Sequence, residues 1–254
     1  MKPTRPSLVI IGHGSSSSSE AEEAVLAHAE TLRLSNRFGS VLTHFVTRGA
    51  KIPELPEGEV FLLPFFMSGG FFVNIKIPDL FNLEGLELHE ETRTLYQCEA
   101  LGLDPELSDI LQSMALEICR DMSKPASEVE IVLVAHGSSK SSASSEAAEL
   151  QVRALREKRR FGSVSNAYLE ESPHIASVVE TLLEEGRNVV CLGLFAADGP
   201  HAVDDVPEEI NRAIEKCRSE MGGSVHYAGV VGTRPEVVRL IQDSISRRAR
   251  NLKK

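Results

Sequence analysis

Tryptophan is absent from the 254-residue sequence, and aromatic residues make up only 5% of it, so intrinsic fluorescence is a poor probe of binding. Cysteine is scarce as well. The four present, Cys98, Cys119, Cys191 and Cys217, lie far apart with no CxxC spacing. That spacing argues against zinc-ribbon, thioredoxin-like and compact iron–sulfur readings and leaves reduced, buried thiols as the expectation. Basic residues are in deficit too: 27 Lys and Arg face 37 Asp and Glu, a formal charge of −10. No basic block is dense enough to follow a phosphate backbone, so nucleic acid is not an expected partner, and an anionic ligand would need a local cationic patch. No apolar run approaches the roughly 20 residues of a membrane span, and the opening MKPTRPSLVIIGHG carries no small-residue cleavage pattern. A cytoplasmic protein without a membrane partner is expected. The remaining balance, 42% hydrophobic and 25% charged, suits one large globular domain or two small ones.

What the sequence does hold is a repeat. VIIGHGSSSSSEAEEAV (Val9 to Val25) is answered by VLVAHGSSKSSASSEAAEL (Val132 to Leu150): an apolar run, His-Gly-Ser-Ser, a serine tract, then an Ala/Glu-rich amphipathic stretch. Arg37-Phe38-Gly39-Ser40-Val41 matches Arg160-Phe161-Gly162-Ser163-Val164 at the offset of the His pair (160 − 37 = 136 − 13 = 123). Further on, Leu63 to Phe81 parallels Leu192 to Ile210, and Gly102-Leu-Asp-Pro-Glu parallels Gly232-Thr-Arg-Pro-Glu. Matches in the same order indicate duplication. Two lobes are expected, 1–124 and 125–254, joined near Ser123 to Glu130 where Ser, Lys and Pro interrupt the pattern.

The second lobe alternates strands and helices. Val129 to Ala135 is a strand-length apolar run, followed by a helix marked by Ala148, Val152 and Leu155; Val164 to Leu169 is a second strand. Pro173 opens a helix closed by Gly186, Asn188 to Phe195 is a third strand, and Pro207 to Arg218 a helix. Val225 to Val231 is the fourth strand and Pro235 to Arg248 the final helix. This order predicts an α/β fold with a parallel, doubly wound sheet in each lobe and a ligand cleft beyond the strands' carboxyl ends. In the first lobe TRGAKIPELPEG (Thr47 to Gly58) leaves no room for the helix that the second lobe places at His174 to Glu185.

Three residues of the second lobe fall at predicted strand ends on that edge: His136, Glu170 and His201. Two imidazoles and a carboxylate on an open cleft could bind a divalent transition metal with coordination positions to spare, and neutral imidazole can also take up a proton. Glu171 is an alternative to Glu170; adjacent strand residues point oppositely, so only one should reach a metal. Asp204 and Asp205 either orient the His201 ring or cap the following helix. His174 is placed outside the site, and His28, His44, His89 and His226 are read as structural or exposed.

The apolar strand ending in His-Gly-Ser, the Leu169-Glu170 strand end with a nearby Pro, and Gly199-Pro-His-Ala-Val-Asp-Asp-Val-Pro resemble the class II tetrapyrrole chelatases. The likeness is to CbiX-type sirohydrochlorin cobaltochelatases and their ferrochelatase relatives. The resemblance implies two flavodoxin-like lobes with a cleft between them and an ATP-independent insertion of Co2+ or Fe2+ into a modified tetrapyrrole, in cobalamin or siroheme biosynthesis. No cofactor would be permanently bound, the metal being a substrate. It assigns His136 and His201 as metal-handling imidazoles and Glu170 as their acidic partner. Insertion removes two pyrrole N–H protons and strips water from the ion, so bases and releasable ligands suit it.

The first lobe keeps His13, but Thr47 stands for Glu170 and Phe72 for His201, each of the latter pair six residues before a proline (78 − 72 = 207 − 201 = 6). One active site is therefore expected, owned by the second lobe, with the first lobe as its wall. Phe65, Phe66, Phe71 and Phe72 either lie against the macrocycle or belong to the core. The substrate carries carboxylates, and Arg48, Lys51 and Lys76 are the candidate cations; His13, Phe72 and Ser138 complete the expected substrate contacts. The run Arg156, Lys158, Arg159 and Arg160 is read as a solvated helix end, and the serine tracts Ser15 to Ser19 and Ser138 to Ser145 as helix caps. With both lobes on one chain, a monomer or weak homo-oligomer is expected. The same residues also admit a carrier of metal or tetrapyrrole without turnover, and a phosphoryl-transfer enzyme with His136 as nucleophile. The latter is disfavoured because Gly12 and Ala135 precede the two histidines where a phosphate-clamping Arg would be needed.

Overall fold

The computed structural model describes residues 5–14, 20–46, 51–217 and 222–252. Thr47, Arg48 and the tract Ser15 to Ser19 lie outside them, as does Arg218. In chain order the elements are β1 (Ser7–Gly12), α1 (Glu20–Leu34), β2 (Val41–Phe45), β3 (Gly58–Pro64), a π-helical turn (Phe72–Lys76) running into α2 (Ile77–Leu80), β4 (Glu87–His89), β5 (Arg93–Gln97) and α3 (Leu107–Asp121). The second repeat supplies β6 (Val129–Ala135), α4 (Ala143–Glu157), β7 (Ser163–Tyr168), α5 (Ile175–Glu184), β8 (Asn188–Gly193), a second π-helical turn (His201–Asp205) running into α6 (Val206–Cys217), β9 (Val225–Val230) and α7 (Val237–Asn251). No described helix is long and apolar enough to cross a membrane.

The chain groups into two compact units, 1–104 with 235–254, and 105–234. The repeat boundary near 124 is thus not where the contacts divide. The last helix of each repeat belongs to the other repeat's sheet: α3 contacts β8, β9 and α4, and α7 contacts α1. Ion pairs hold each one. In the 105–234 unit Arg234 Nη2 lies 2.7 and 2.8 Å from the two oxygens of Glu117 on α3, and Lys158 pairs with Asp109. In the other unit Arg247 on α7 pairs with Asp104, and Arg248 with Glu87 at 2.9 Å. Chain proximity does not dictate which sheet a helix covers: its apolar face requires a cover, and its charges choose which one.

In the 105–234 unit the sheet is wholly parallel, in the order β7-β6-β8-β9. Every residue of β6 is buried, which is why it reads as a continuous apolar run rather than an alternating one. Val132 and Val134 join Ala167, Val189 and Cys191 beneath α5 (Ile175, Val179, Leu183) and α6 (Ile210, Ala213, Cys217). The alternate residues Ile131 and Leu133 are equally buried, and α3 and α4 lie against the sheet as well. The expected elements are present, with β8 ending two residues early at Gly193 and α7 running on to Asn251.

The other unit has the order β2-β1-β3-β5-β4, with β4 antiparallel to β5. That edge strand is a departure from the all-parallel expectation: Asn82 and Gly85, both at positive φ, let the chain double back after α2, and three residues are too few to stand out by periodicity. Where no helix is expected, the described residues 51–57 form none; they are irregular and place Ile52 and Leu55 on the core of Val9, Ile11, Val60, Leu62, Ile77 and Phe81. All four cysteines are free and buried. Burial pushes the Cys98 and Cys191 thiols up to about 12.

Candidate functional site

At the end of β6, His136 is followed by Gly137 at φ +74°, where a Cβ would come within 2.8 Å of the Tyr168 side chain and 2.9 Å of Glu171. Only glycine fits, and the chain turns sharply there. Three bonds fix the turn. Gly137 N donates to Ser144 Oγ at 3.1 Å, Ser138 N donates to Glu171 Oε1 at 3.1 Å, and Glu170 N donates to His136 O at 2.9 Å. The loops after β6 and β7 are therefore one tied assembly. The third side chain arrives from β8, where Pro200 leads into the π-helical turn whose first residue is His201 and whose last is Asp205. Such wide turns recur at functional positions in helices.

The structure brings these elements together. The His136 and His201 rings stand 4.6 Å apart, edge to face at 89°, and His136 Nε2 is 3.9 Å from Glu170 Oε1. Side-chain exposures of 40% for His136, 57% for Glu170 and 54% for His201 leave all three open to solvent. The two glutamates differ locally: Glu171 Oε1 accepts the Ser138 amide, whereas Glu170 Oε1 faces the imidazole. Each ring is also held from behind. His136 Nδ1 meets Gly137 O at 3.0 Å and His201 Nδ1 meets Asp205 Oδ2 at 2.6 Å. Both partners only accept, so in the neutral rings Nδ1 carries the proton and Nε2 offers its lone pair. Among the described residues, no group of three or more His, Cys, Asp or Glu is spaced to hold a metal ion in this conformation. The trio is near but not closed on one point.

Comparison with known proteins gives the family and the fold. The CbiX family model matches residues 7–118 and again 130–248. The chain belongs to the CbiX family. A probable sirohydrochlorin cobaltochelatase of Halobacterium salinarum is 25% identical over 255 residues, covering 90% of this chain and 86% of that protein. Among solved structures, CbiX described as the terminal enzyme of siroheme biosynthesis in denitrifying bacteria aligns with a TM-score of 0.69 at 24% identity, over 95% of this chain and 98% of its own. A multi-domain protein of Deinococcus radiodurans with structural similarity to chelatases aligns with a TM-score of 0.80 at 22% identity. It covers 94% of this chain, which spans 54%, about half, of that protein. These structural likenesses establish the fold.

The two CbiX matches correspond to the two repeats, and the first repeat reproduces the site's scaffold with altered chemistry. His13 Nδ1 meets Gly14 O at 2.8 Å, with Gly14 at φ +75°. The His13 ring stands 4.6 Å from that of Phe72, edge to face at 77°, so the phenyl occupies the place that His201 takes beside His136. Phe72 opens a π-helical turn as His201 does, and Lys76 closes it where Asp205 does. The expected phenylalanine cluster divides. Phe65 is core at 1% exposure, whereas Phe71 is 63% exposed, and Phe66 and Phe72 lie stacked with centroids 6.0 Å apart beside His13. Further along both repeats a glycine packs flush on the preceding loop: a Cβ at Gly102 would fall 2.1 Å from Met67 O, and one at Gly232 2.1 Å from Ala196 O.

Other expected residues fall elsewhere. Lys51 is exposed and Lys76 half-buried. His174 is exposed at the start of α5, lining a separate cavity of about 500 Å³ with Glu180, Arg212 and Lys216. Arg156 is exposed, as the solvated-face reading expects, and it also has a structural contact: its Nε donates to Val164 O at 2.8 Å, as Arg33 Nε donates to Val41 O at 3.0 Å in the first repeat. The equal 123-residue spacing of that Arg pair with the His pair is the signal that could have found it. Ser144, whose hydroxyl accepts the Gly137 amide, was hidden in a serine tract.

Proposed function

We propose that this chain inserts a divalent metal, Co2+ or Fe2+, into sirohydrochlorin or a related tetrapyrrole without ATP, in cobalamin or siroheme synthesis, and that His136, Glu170 and His201 carry the reaction. The observation that supports it most is the meeting of the two imidazoles and Glu170 at one open edge. Membership of the CbiX family and the likeness to a protein named as a probable sirohydrochlorin cobaltochelatase agree with it. The two Nε2 lone pairs and the Glu170 carboxylate replace water on the incoming dication. A set so exposed gives the ion up again as four pyrrole nitrogens close on it. The imidazoles are also bases of suitable strength for the two protons the macrocycle must lose.

The first repeat contributes substrate contacts in this reading. Phe72, with Phe66 and Phe71, offers ring faces on which a flat macrocycle can lie, and His13 a polar edge. Lys76, and Arg48 beyond the described residues, supply cations for the substrate's carboxylates, and Ser138 offers a hydroxyl beside His136. Metal-free sirohydrochlorin mixed with Co2+ tests this by visible spectroscopy. Wild type should turn over many equivalents, and His136→Ala and His201→Ala should each lose on the order of 10² or more in rate. A change that stops at one equivalent identifies a carrier. Unaltered rates in both variants refute the assignment of the site.

A further inference from the structure

We infer that Asp205 is a positioning residue for His201, fixing the ring so that Nε2 and not Nδ1 is presented to the metal. This rests on the reading of His201 as a metal-handling imidazole. An isolated histidine side chain favours the proton on Nε2, the tautomer that would put the lone pair on the wrong nitrogen for this site. At His136 the backbone reverses that preference through Gly137 O at 3.0 Å. His201 sits in a π-helical turn, where among the described residues no carbonyl bonds its ring, and the 2.6 Å contact to Asp205 Oδ2 does the same work with a carboxylate. The residues are four apart, first and last of the turn, so the backbone itself brings them together.

The repeat supplies an independent comparison. In the first repeat the same turn opens with Phe72 and closes with Lys76. The acid is present where the imidazole is present and gone where a phenyl has replaced it. A residue needed only to favour the helix that follows would be acidic in both repeats, because a negative charge is the favourable one at a helix N-terminus and a lysine there is not. Asp204, one residue earlier, already places an acid at that end of α6. The carboxylate of Asp205 therefore goes with the ring, as carboxylates paired to metal-binding histidines commonly do.

The test needs no turnover. In 15N-labelled protein, long-range 1H–15N spectra of the imidazoles should show His201 with Nδ1 protonated and Nε2 bare. Asp205→Ala should lose that single tautomer and weaken Co2+ binding, titrated without tetrapyrrole, by about 10- to 100-fold. Asp205→Asn, which keeps the acceptor oxygen, should retain the tautomer and lose less affinity. An Asp205→Ala protein whose His201 tautomer and Co2+ affinity both stay as in wild type overturns the inference, whether its thermal stability drops or not; a drop alone marks Asp205 as a helix-end residue. His201→Ala keeps the two readings apart. If that variant binds and inserts cobalt normally, the proposed site is wrong, while the tautomer of His201 in Asp205→Ala still decides what Asp205 does.

Discussion

Arg247 and Asp104 offer the sharpest quantitative test of how the two units are specified. Asp104 and Arg234 hold matching places after the conserved-in-repeat glycines Gly102 and Gly232, and Glu117 and Arg247 are each the eleventh residue of their helices. As folded, Asp104 meets Arg247 and Arg234 meets Glu117. Had each helix stayed on its own repeat's sheet, the same places would set Asp104 against Glu117 and Arg234 against Arg247, acid to acid and base to base. The charges therefore select the exchange. Asp104 is 7% exposed and Arg247 32%; breaking a buried pair by removing one member costs roughly 3–5 kcal/mol. Both residues keep other interactions, and Arg247 is partly solvated, so Arg247→Ala should cost about 2–3 kcal/mol. At roughly 2–4 °C per kcal/mol for a chain of this size, the midpoint should fall by about 4–12 °C. Glu117→Ala, in a pair exposed at 27% and 40%, should cost less than about 1 kcal/mol. With no tryptophan to report, thermal unfolding is followed by far-UV circular dichroism, alongside urea midpoints. Equal losses in the two variants, or a loss under about 0.5 kcal/mol for Arg247→Ala, would refute the reasoning.

Gly102→Ala and Gly232→Ala should each destabilise by about 2–4 kcal/mol, and by similar amounts, because the new methyl meets a backbone oxygen at the same distance in both repeats; dissimilar urea midpoints would break the equivalence. His44 is buried and its ordinary pKa of 6.5 is lowered by that burial. The unfolded chain then binds the extra proton first as pH falls below 6.5, so stability declines toward acid, with a limiting slope of about 1.4 kcal/mol per pH unit from this one group. His44→Leu should flatten the slope between pH 6.5 and pH 5 in otherwise identical melts. The thiols of Cys98 and Cys191, held near 12, should resist Ellman's reagent at pH 8 in the folded protein and react at once in denaturant; fast native labelling would contradict their burial.

Much of the scaffold could be read from periodicity, because both faces of a parallel sheet are covered and its central strands leave long apolar signatures. β6 stands where the run Val129 to Ala135 put it, and the histidines at strand ends share an edge because parallel strands finish on one side. The replacement of His201 by Phe72 could be read from spacing to the next proline, and the equal ring distances agree with it. Three features could not be read. β4 is too short for an alternating pattern. Glu170 and Glu171 are chemically identical, and their different surroundings, the Ser138 amide for one and the His136 ring for the other, appear only in the fold. The division of the chain at 104 and 234 was hidden because a helix's apolar stripe records that it is covered and not by which sheet. Charge at isolated positions recorded that, and isolated charges carry no period.

The shared helices also bear on how the protein is made. The first sheet, β1 to β5, leaves the ribosome long before α7 exists, so its α7-facing surface waits through the synthesis of 130 residues, 105–234, for its cover. Meanwhile α3 emerges ahead of the strands it will lie against. The 105–234 unit, continuous in the chain, can close first, and the discontinuous one can be completed only when the nascent chain has passed Asn251. A pause or truncation between these points strands an unfinished sheet, which makes late translation the stage at which this chain most needs protection from aggregation.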